Sequence, residues 1–202
     1  VFHVKQAEGP LAAKVDLFLE LLMRWNSRIN LVADHDPEAI RTRHIEDSLQ
    51  LLPYLPAGEG PIGDLGSGGG FPGLMLALAT GRTTHLVESD RRKAAFLIEA
   101  AARLDLPRVK VHATRIDVAP LPPLAVLTAR ALAPLTELLP HAVRFLGPNG
   151  VALFPKGRGV GAEVTAALEA GWSFTLDRIP SRTDPAAALL RLSDIRRATS
   201  QA

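Results

Sequence analysis

Five of the eight residues from Gly66 to Gly73 are glycine, and Asp64 stands two positions ahead of them. The stretch Pro61-Ile62-Gly63-Asp64-Leu65-Gly66-Ser67-Gly68-Gly69-Gly70-Phe71-Pro72-Gly73 reads as a short strand that breaks into a turn and launches a helix at Leu74. Glycine permits positive φ and leaves no Cβ against a ligand. The helix N-terminus behind such a turn presents N–H groups to whatever lies above it. Two registers fit. Gly68 to Gly73 satisfies G-x-G-x-x-G, a dinucleotide fingerprint, and Asp64 to Gly70 satisfies D-x-G-x-G-x-G.

Other residues that could do chemistry fall where the next strands should end. Glu88 comes 18 residues after Gly70, about where an acid would grip a ribose hydroxyl pair. Ile116 and Asp117 follow a third strand, where Asp117 could meet an adenine amino group, and Arg130 follows a fourth. Three details favour a cationic cofactor over a dinucleotide. Asp64 would repel a pyrophosphate but suits a ligand with an ammonium and a sulfonium. Pro72 lacks the N–H that a phosphate-binding helix would present. The G-x-G-x-x-G match is weak in so glycine-rich a segment. The D-x-G-x-G-x-G register resembles the first motif of S-adenosylmethionine methyltransferases, and it places Asp64, Gly66, Gly68 and Gly70 at the cofactor.

These residues need a scaffold, and the apolar pattern supplies one. Leu11, Val15, Phe18, Leu19 and Leu22 make a helical stripe that should run through Trp25 toward Asn30. Asp36 caps a second helix that Pro53 ends. After a turn-rich linker the pattern changes. Strands are expected over residues 62–65, 83–88, 109–113, 124–128, 151–154, near 172–176 and near 187–192. Helices should fill the gaps: residues 74–79, one capped by Asp90, one opened by Pro134, kinked at Pro140 and ended by Gly147-Pro148, and one over about 161–170. Gly63 stands where a bulkier strand residue is usual, which should loosen the first strand. Alternating strands and helices imply an α/β fold with a mainly parallel sheet and helices on both faces. The division expected is a helical cap over 1–57 and a core over 58–202.

Composition bounds the chemistry further. The chain of 202 residues has no cysteine, which excludes disulfides, cysteine-ligated zinc and a thiolate nucleophile. No apolar run approaches the roughly 20 residues of a membrane helix, and no signal peptide is evident, so a cytoplasmic address without a membrane partner is expected. A net charge of +2 permits a local basic face.

Trp25-Asn26-x-x-x-Asn30-Leu31, Arg43-His44-Ile45-Glu46-Asp47-Ser48, the glycine stretch, Arg130-Ala131-x-Ala133 and Lys156-Gly157 occur together and in order. On these motifs, over residues 15–157, the sequence resembles the bacterial ribosomal RNA small subunit methyltransferase G family, also called glucose-inhibited division protein B. The resemblance implies a Rossmann-like class I S-adenosylmethionine methyltransferase with a seven-stranded sheet and an N-terminal helical extension. The implied activity is methylation of N7 of one guanine in 16S ribosomal RNA, with free RNA or the small subunit as partner and a monomeric enzyme. It carries cofactor contacts onto Gly66, Phe71, Ile116, Asp117 and Arg130, and matches Glu88 to an acidic ribose position that is usually aspartate. The tail beyond about Asp184 matches poorly.

The absent cysteine agrees with N7 chemistry, because methylating pyrimidine C5 generally needs a thiolate. Thr128-Ala129-Arg130-Ala131 is not the proline-rich motif used for exocyclic amines. Guanine N7 has its lone pair free, so proximity and orientation carry the reaction. No catalytic base is assigned and no metal is expected; Lys156 and His44 are the weak candidates. RNA contacts are expected among Arg24, Arg28, Arg41, Arg43, Lys156 and Arg158, with Lys156 the best placed. Trp25 reads as core, and Asp47 as a tie between cap and core. Two other readings stay open: a small-molecule methyltransferase, which needs an aromatic pocket, and a non-catalytic assembly factor.

Overall fold

The computed structural model describes residues 9–197. Helix α1 (Pro10–Asn26) buries Val15, Phe18, Leu19 and Leu22, the periodic stripe, with Pro10 in a first turn that has no use for its missing N–H. The helix stops at Asn26, short of Asn30, and the Asn26 side chain ends it. Its Oδ1 accepts from the N–H groups of Leu31 and Val32 at 2.8 and 3.0 Å, and its Nδ2 donates to the carbonyls of Val32 and Asp34. A buried side-chain amide thus offers the following backbone an alternative to helix. Asp36 caps α2 (Pro37–Ile40) by accepting from Ala39 N at 2.8 Å. The single helix expected up to Pro53 is broken into pieces. A π turn (Arg41–Glu46), α3 (Asp47–Leu49) and a 3₁₀ turn (Leu52–Tyr54) follow one another.

From there strand and helix alternate as expected. The elements are β1 (Ile62–Leu65), α4 (Gly73–Thr80), β2 (Thr84–Val87), α5 (Arg91–Arg103), β3 (Val109–His112), β4 (Leu124–Ala129), α6 (Leu135–Phe145), β5 (Leu146–Lys156), α7 (Val160–Glu169), β6 (Trp172–Pro180) and β7 (Ala188–Arg197). The seven strands form one sheet in the order β3-β2-β1-β4-β5-β7-β6. β1 to β5 pair in parallel, and β7 runs antiparallel between β5 and β6. Strand order reverses between β1 and β4, the place where such sheets bind ligands.

Three expectations are corrected. Gly147-Pro148 does not end α6, which stops at Phe145. Leu146 already pairs with Leu124, and the next four residues bulge out before Val151 pairs with Val126. Asn149 takes a positive φ of 59° in that bulge. β6 and β7 continue to Pro180 and Arg197, a longer hairpin than the pattern suggested. Gly63 does not loosen β1: the buried Leu124 side chain fills the space a Cβ would take.

The N-terminal helices share one apolar core with α4 and α5. Val15, Phe18, Ile40 and Ile45 pack with Leu74, Phe96 and Leu97. Phe18 meets Phe71 edge-on at 5.6 Å, and Trp25 meets Phe96 at 5.9 Å while its Nε1 donates to Glu99 at 3.0 Å. Trp25 is therefore core, its polar tip satisfied. On the other sheet face Leu127, Phe154 and Leu190 pack beneath α6 and α7. Each fully buried side chain of this size stabilises the fold by about 1.5–3 kcal/mol.

Candidate functional site

The glycine loop turns back on itself between β1 and α4, with Gly66, Gly68 and Gly70 at φ of 67°, 50° and 88°. Its hairpin is closed by Gly70 N donating to Ser67 O at 2.6 Å. Gly73, the first residue of α4, lies so close to β1 that a Cβ there would stand 2.7 Å from Leu86 and strike Asp64. Glu88, at the end of β2, ties the loop down. Its Oε2 accepts from Gly68 N at 2.9 Å and its Oε1 from Asp90 N at 2.8 Å. Asp90 in turn caps α5 by accepting from Arg92 N and Lys93 N.

Above the strand ends two clefts meet. The smaller, ≈ 470 Å³, brings together five of the nine expected cofactor residues: Gly66, Gly68, Glu88, Ile116 and Asp117. Ile116 and Asp117 sit in a 3₁₀ turn after β3 that Arg144 holds by donating to Asp117 O at 2.7 Å. The larger cleft, ≈ 1010 Å³, lies on the far side of the β4–α6 loop and is lined by Arg130, His44, Asp47 and Lys156 among others. Leu132 and Ala133 line both. Pattern reading gave no role to these two. Their signals were position, immediately after a strand end, and for Ala133 its place in the Arg130-Ala131-x-Ala133 motif.

The other four expected cofactor residues are not on the smaller cleft's wall. Gly70 and Phe71 are buried because the loop folds back toward α1, which sends the Phe71 ring against Phe18 and His44. Arg130 faces the larger cleft. Asp64 is fully buried beneath the loop, and neither carboxylate oxygen has a hydrogen-bond partner. Burial pushes its pKa up to about 7, reinforced by Glu88; the Ser67 hydroxyl and Gly73 N–H, near the carboxylate but outside hydrogen-bond geometry, and the Arg130 cation oppose the shift. Asp64 thus lies beneath the loop rather than on the cleft wall, where only its charge could act on a ligand.

Arg130 stands over the Phe71 ring at 5.2 Å. Its Nη1 donates to Arg43 O at 3.1 Å and lies 3.5 Å from Asp47 Oδ2, and its Nη2 reaches His44 Nδ1 at 2.7 Å. Burial pulls the Arg130 pKa down, while Asp47 and Asp64 hold it up. Asp47 Oδ1 also accepts from Gln50 Nε2 and Thr183 Oγ1 at 2.6 and 2.8 Å, which ties the N-terminal segment to the 181–184 loop.

Of the expected RNA contacts, two are already committed. Lys156 is nearly buried, donating to Ala133 O at 2.7 Å and pairing with Glu163 at 2.8 Å. It is a strut under the β4–α6 loop rather than a free cation, because Ala133 O and the Glu163 carboxylate hold its ammonium group. Arg41 pairs with Asp16 at 2.6 Å. Arg43 pairs with Asp34 at 2.9 Å but stays exposed. Arg24, Arg28 and Arg158 are exposed. His44 is no free base, since both of its ring nitrogens are engaged. Among the described residues, no Phe, Tyr or Trp lines either cleft, so stacking of a base would fall to the planar Arg130 or His44. No group of three or more metal-ligating side chains occurs among the described residues. No described helix is long and apolar enough to cross a membrane.

Comparison with known proteins gives a consistent result. Residues 11–177 match the family model described as rRNA small subunit methyltransferase G. The ribosomal RNA small subunit methyltransferase G of Granulibacter bethesdensis is 55% identical over 184 residues, covering 91% of this chain and 85% of that protein. Its counterpart from Gluconobacter oxydans is 50% identical, covering 91% and 94%. Among solved structures, a SAM-dependent methyltransferase from Aquifex aeolicus superposes with a TM-score of 0.61 at 16% identity, covering 78% and 93%. At that identity it speaks for the fold.

Proposed function

The chain belongs to the rRNA small subunit methyltransferase G family and is an S-adenosylmethionine-dependent methyltransferase, and on that premise we propose that its two clefts divide donor from acceptor. The smaller cleft takes the donor's nucleoside, and the larger takes a guanine of 16S ribosomal RNA, methylated at N7. The observation that carries this reading is the β4–α6 loop. Leu132 and Ala133 wall both clefts, so a donor in one and a base in the other would meet across it.

The residues present fit the donor. Gly66 approaches Leu132 so closely that a Cβ there would come within 2.7 Å of it, so the loop leaves backbone alone facing the cleft. Glu88 still has acceptor capacity for ribose hydroxyls beyond its two backbone bonds. Asp117 is exposed at the far wall and would accept from an adenine amino group. Asp64 supplies negative charge beneath a cationic ligand. When bound, S-adenosylmethionine supplies an electrophilic methyl group on sulfonium.

On the acceptor side the protein has no proton to remove, because guanine N7 carries an in-plane lone pair. What remains is positioning. Arg130, fixed by Asp47, His44 and Phe71, presents planar donors that O6 of the base can accept, leaving the N7 lone pair free for the methyl group. Arg24, Arg28, Arg43 and Arg158 would meet phosphates. The lack of Phe, Tyr and Trp among the described residues of both clefts favours an RNA base over a small-molecule acceptor.

Tritiated methyl transfer to small ribosomal subunits from a strain lacking the enzyme, followed by nucleoside analysis, tests the proposal. Label in N7-methylguanosine is expected. Label confined to protein or to another nucleoside would sink it.

A further inference from the structure

The groups that hold Arg130 come almost entirely from the N-terminal segment, and three of the side chains form a file. His44 Nε2 lies 2.9 Å from Asp34 Oδ2, and His44 Nδ1 lies 2.7 Å from Arg130 Nη2. A guanidinium has donors only. The nitrogen it meets must therefore accept, which leaves the ring proton on Nε2, donating to Asp34. Geometry alone defines one neutral tautomer. The ring is also stacked on Phe71 at 5.2 Å with an interplanar angle of 28°, the same ring that carries Arg130 on its face.

The backbone is arranged to permit this. The π turn Arg41–Glu46 is wider than an α-helical turn, and such turns recur at functional sites. It offers the Arg43 carbonyl to Arg130 Nη1 and the His44 ring to Nη2 together. Arg43 then turns outward to the other oxygen of Asp34 at 2.9 Å.

We propose that His44 is a positioning residue for Arg130: a neutral imidazole, pinned in its Nε2–H tautomer by Asp34, that fixes the guanidinium at the acceptor cleft and so makes the N-terminal segment part of the site. The inference goes beyond the methyl-transfer reading but rests on it for its consequence in catalysis. Protonating Nδ1 would remove the acceptor and set two cations face to face. The charged groups around the ring are Asp34 and Arg43 from the N-terminal segment, Asp47 from α3 and Arg130 after β4, with Asp64 on β1 acting on Arg130 in turn. Burial and Arg130 lower the His44 pKa, while Asp34 and Asp47 act against them. The net shift is downward, so the ring is neutral at neutral pH, and its protonation should impair methyl transfer only on the acid side.

The direct test is nitrogen NMR of the full chain, which reads tautomer and titration without any reaction. The ring should show Nε2 protonated and Nδ1 bare, and Arg130→Met should raise the His44 pKa by removing the neighbouring cation. A proton on Nδ1, or a titration unmoved by Arg130→Met, overturns the proposal whatever the reaction turns out to be. Where the wild type shows methyl transfer, His44→Ala and His44→Lys should lose on the order of 10²-fold in kcat/KM for the RNA. Their calorimetric affinity for S-adenosylmethionine should change far less. His44→Asn, whose carbonyl oxygen can accept at the Nδ1 position, should recover at least tenfold of the loss and flatten the acid limb of the pH profile. Equal damage from Ala and Asn with an unchanged acid limb would mean that the ring is structural only.

Discussion

Asp64 and Thr128 stand side by side on the paired strands β1 and β4, and neither side chain has a hydrogen-bond partner. A fully buried, unpartnered carboxyl favours its neutral form. With its pKa raised from 3.8 to about 7, Asp64 burdens the ligand-free fold increasingly as pH rises between those values. The native state then binds the proton more tightly than the unfolded chain, so stability falls with rising pH across that window and levels off above it. The full effect is on the order of 4 kcal/mol. Asp64→Asn should therefore be the more stable protein at pH 8 and roughly level with wild type at pH 4. Thermal melts in the two buffers measure this, and parallel pH profiles would refute it. S-adenosylmethionine should narrow the gap at pH 8, because its positive charge favours the carboxylate.

Lys156 and Arg158 lie two residues apart, and opposite outcomes are expected for them. Lys156→Met breaks a nearly buried pair and leaves Glu163 with only the Leu135 N–H at 2.8 Å. A stability loss of about 2–4 kcal/mol should follow, together with disorder of the β4–α6 loop. Arg158→Ala should leave the melting temperature unchanged and lower RNA affinity. It should also reduce the slope of log affinity against log salt by about 1. Filter binding over a salt series separates the two variants.

Gly73→Ala asks α4 to move off β1, since the added Cβ would strike the buried Asp64 and come 2.7 Å from Leu86. Both neighbours are fully buried. Overpacking of this kind costs about 1–3 kcal/mol. The glycine loop would shift with the helix, so S-adenosylmethionine binding should weaken together with stability. Gly81→Ala is the control. It has open space around it but a φ of 66°, so it should cost stability through backbone strain alone and leave the donor affinity intact.

Glu88→Gln probes the loop tie. One carboxylate oxygen becomes an NH₂, which cannot accept from either Gly68 N or Asp90 N. The expected outcome is a fall of about tenfold or more in donor affinity, with a stability loss of about 1–3 kcal/mol for the orphaned N–H. Calorimetry against S-adenosylmethionine gives the first quantity and thermal melts the second. Unchanged affinity would remove Glu88 from the donor site.

Much of the fold was written locally. The stripe of α1, the caps Asp36 and Asp90, the glycine turn and the seven apolar strand segments each announce themselves through side-chain period or turn chemistry, which depends on near neighbours in the chain. The strand ends could be named too, and with them Glu88, Ile116 and Asp117 at one cleft. Boundaries failed where a distant or unforeseen bond decides them. Asn26 ends α1 with its own amide, and Leu146 joins β5 because Leu124 is there to pair with it. Tertiary structure alone decided that Lys156 is a strut, that Phe71 turns away from the cleft, that Asp64 acts from beneath it, and that His44 and Asp47 reach Arg130 across more than 80 residues of chain. Residue types and spacing specify which groups exist and which element carries them. Whether a charge faces water or another charge depends on packing between elements far apart in sequence, and no local pattern records that.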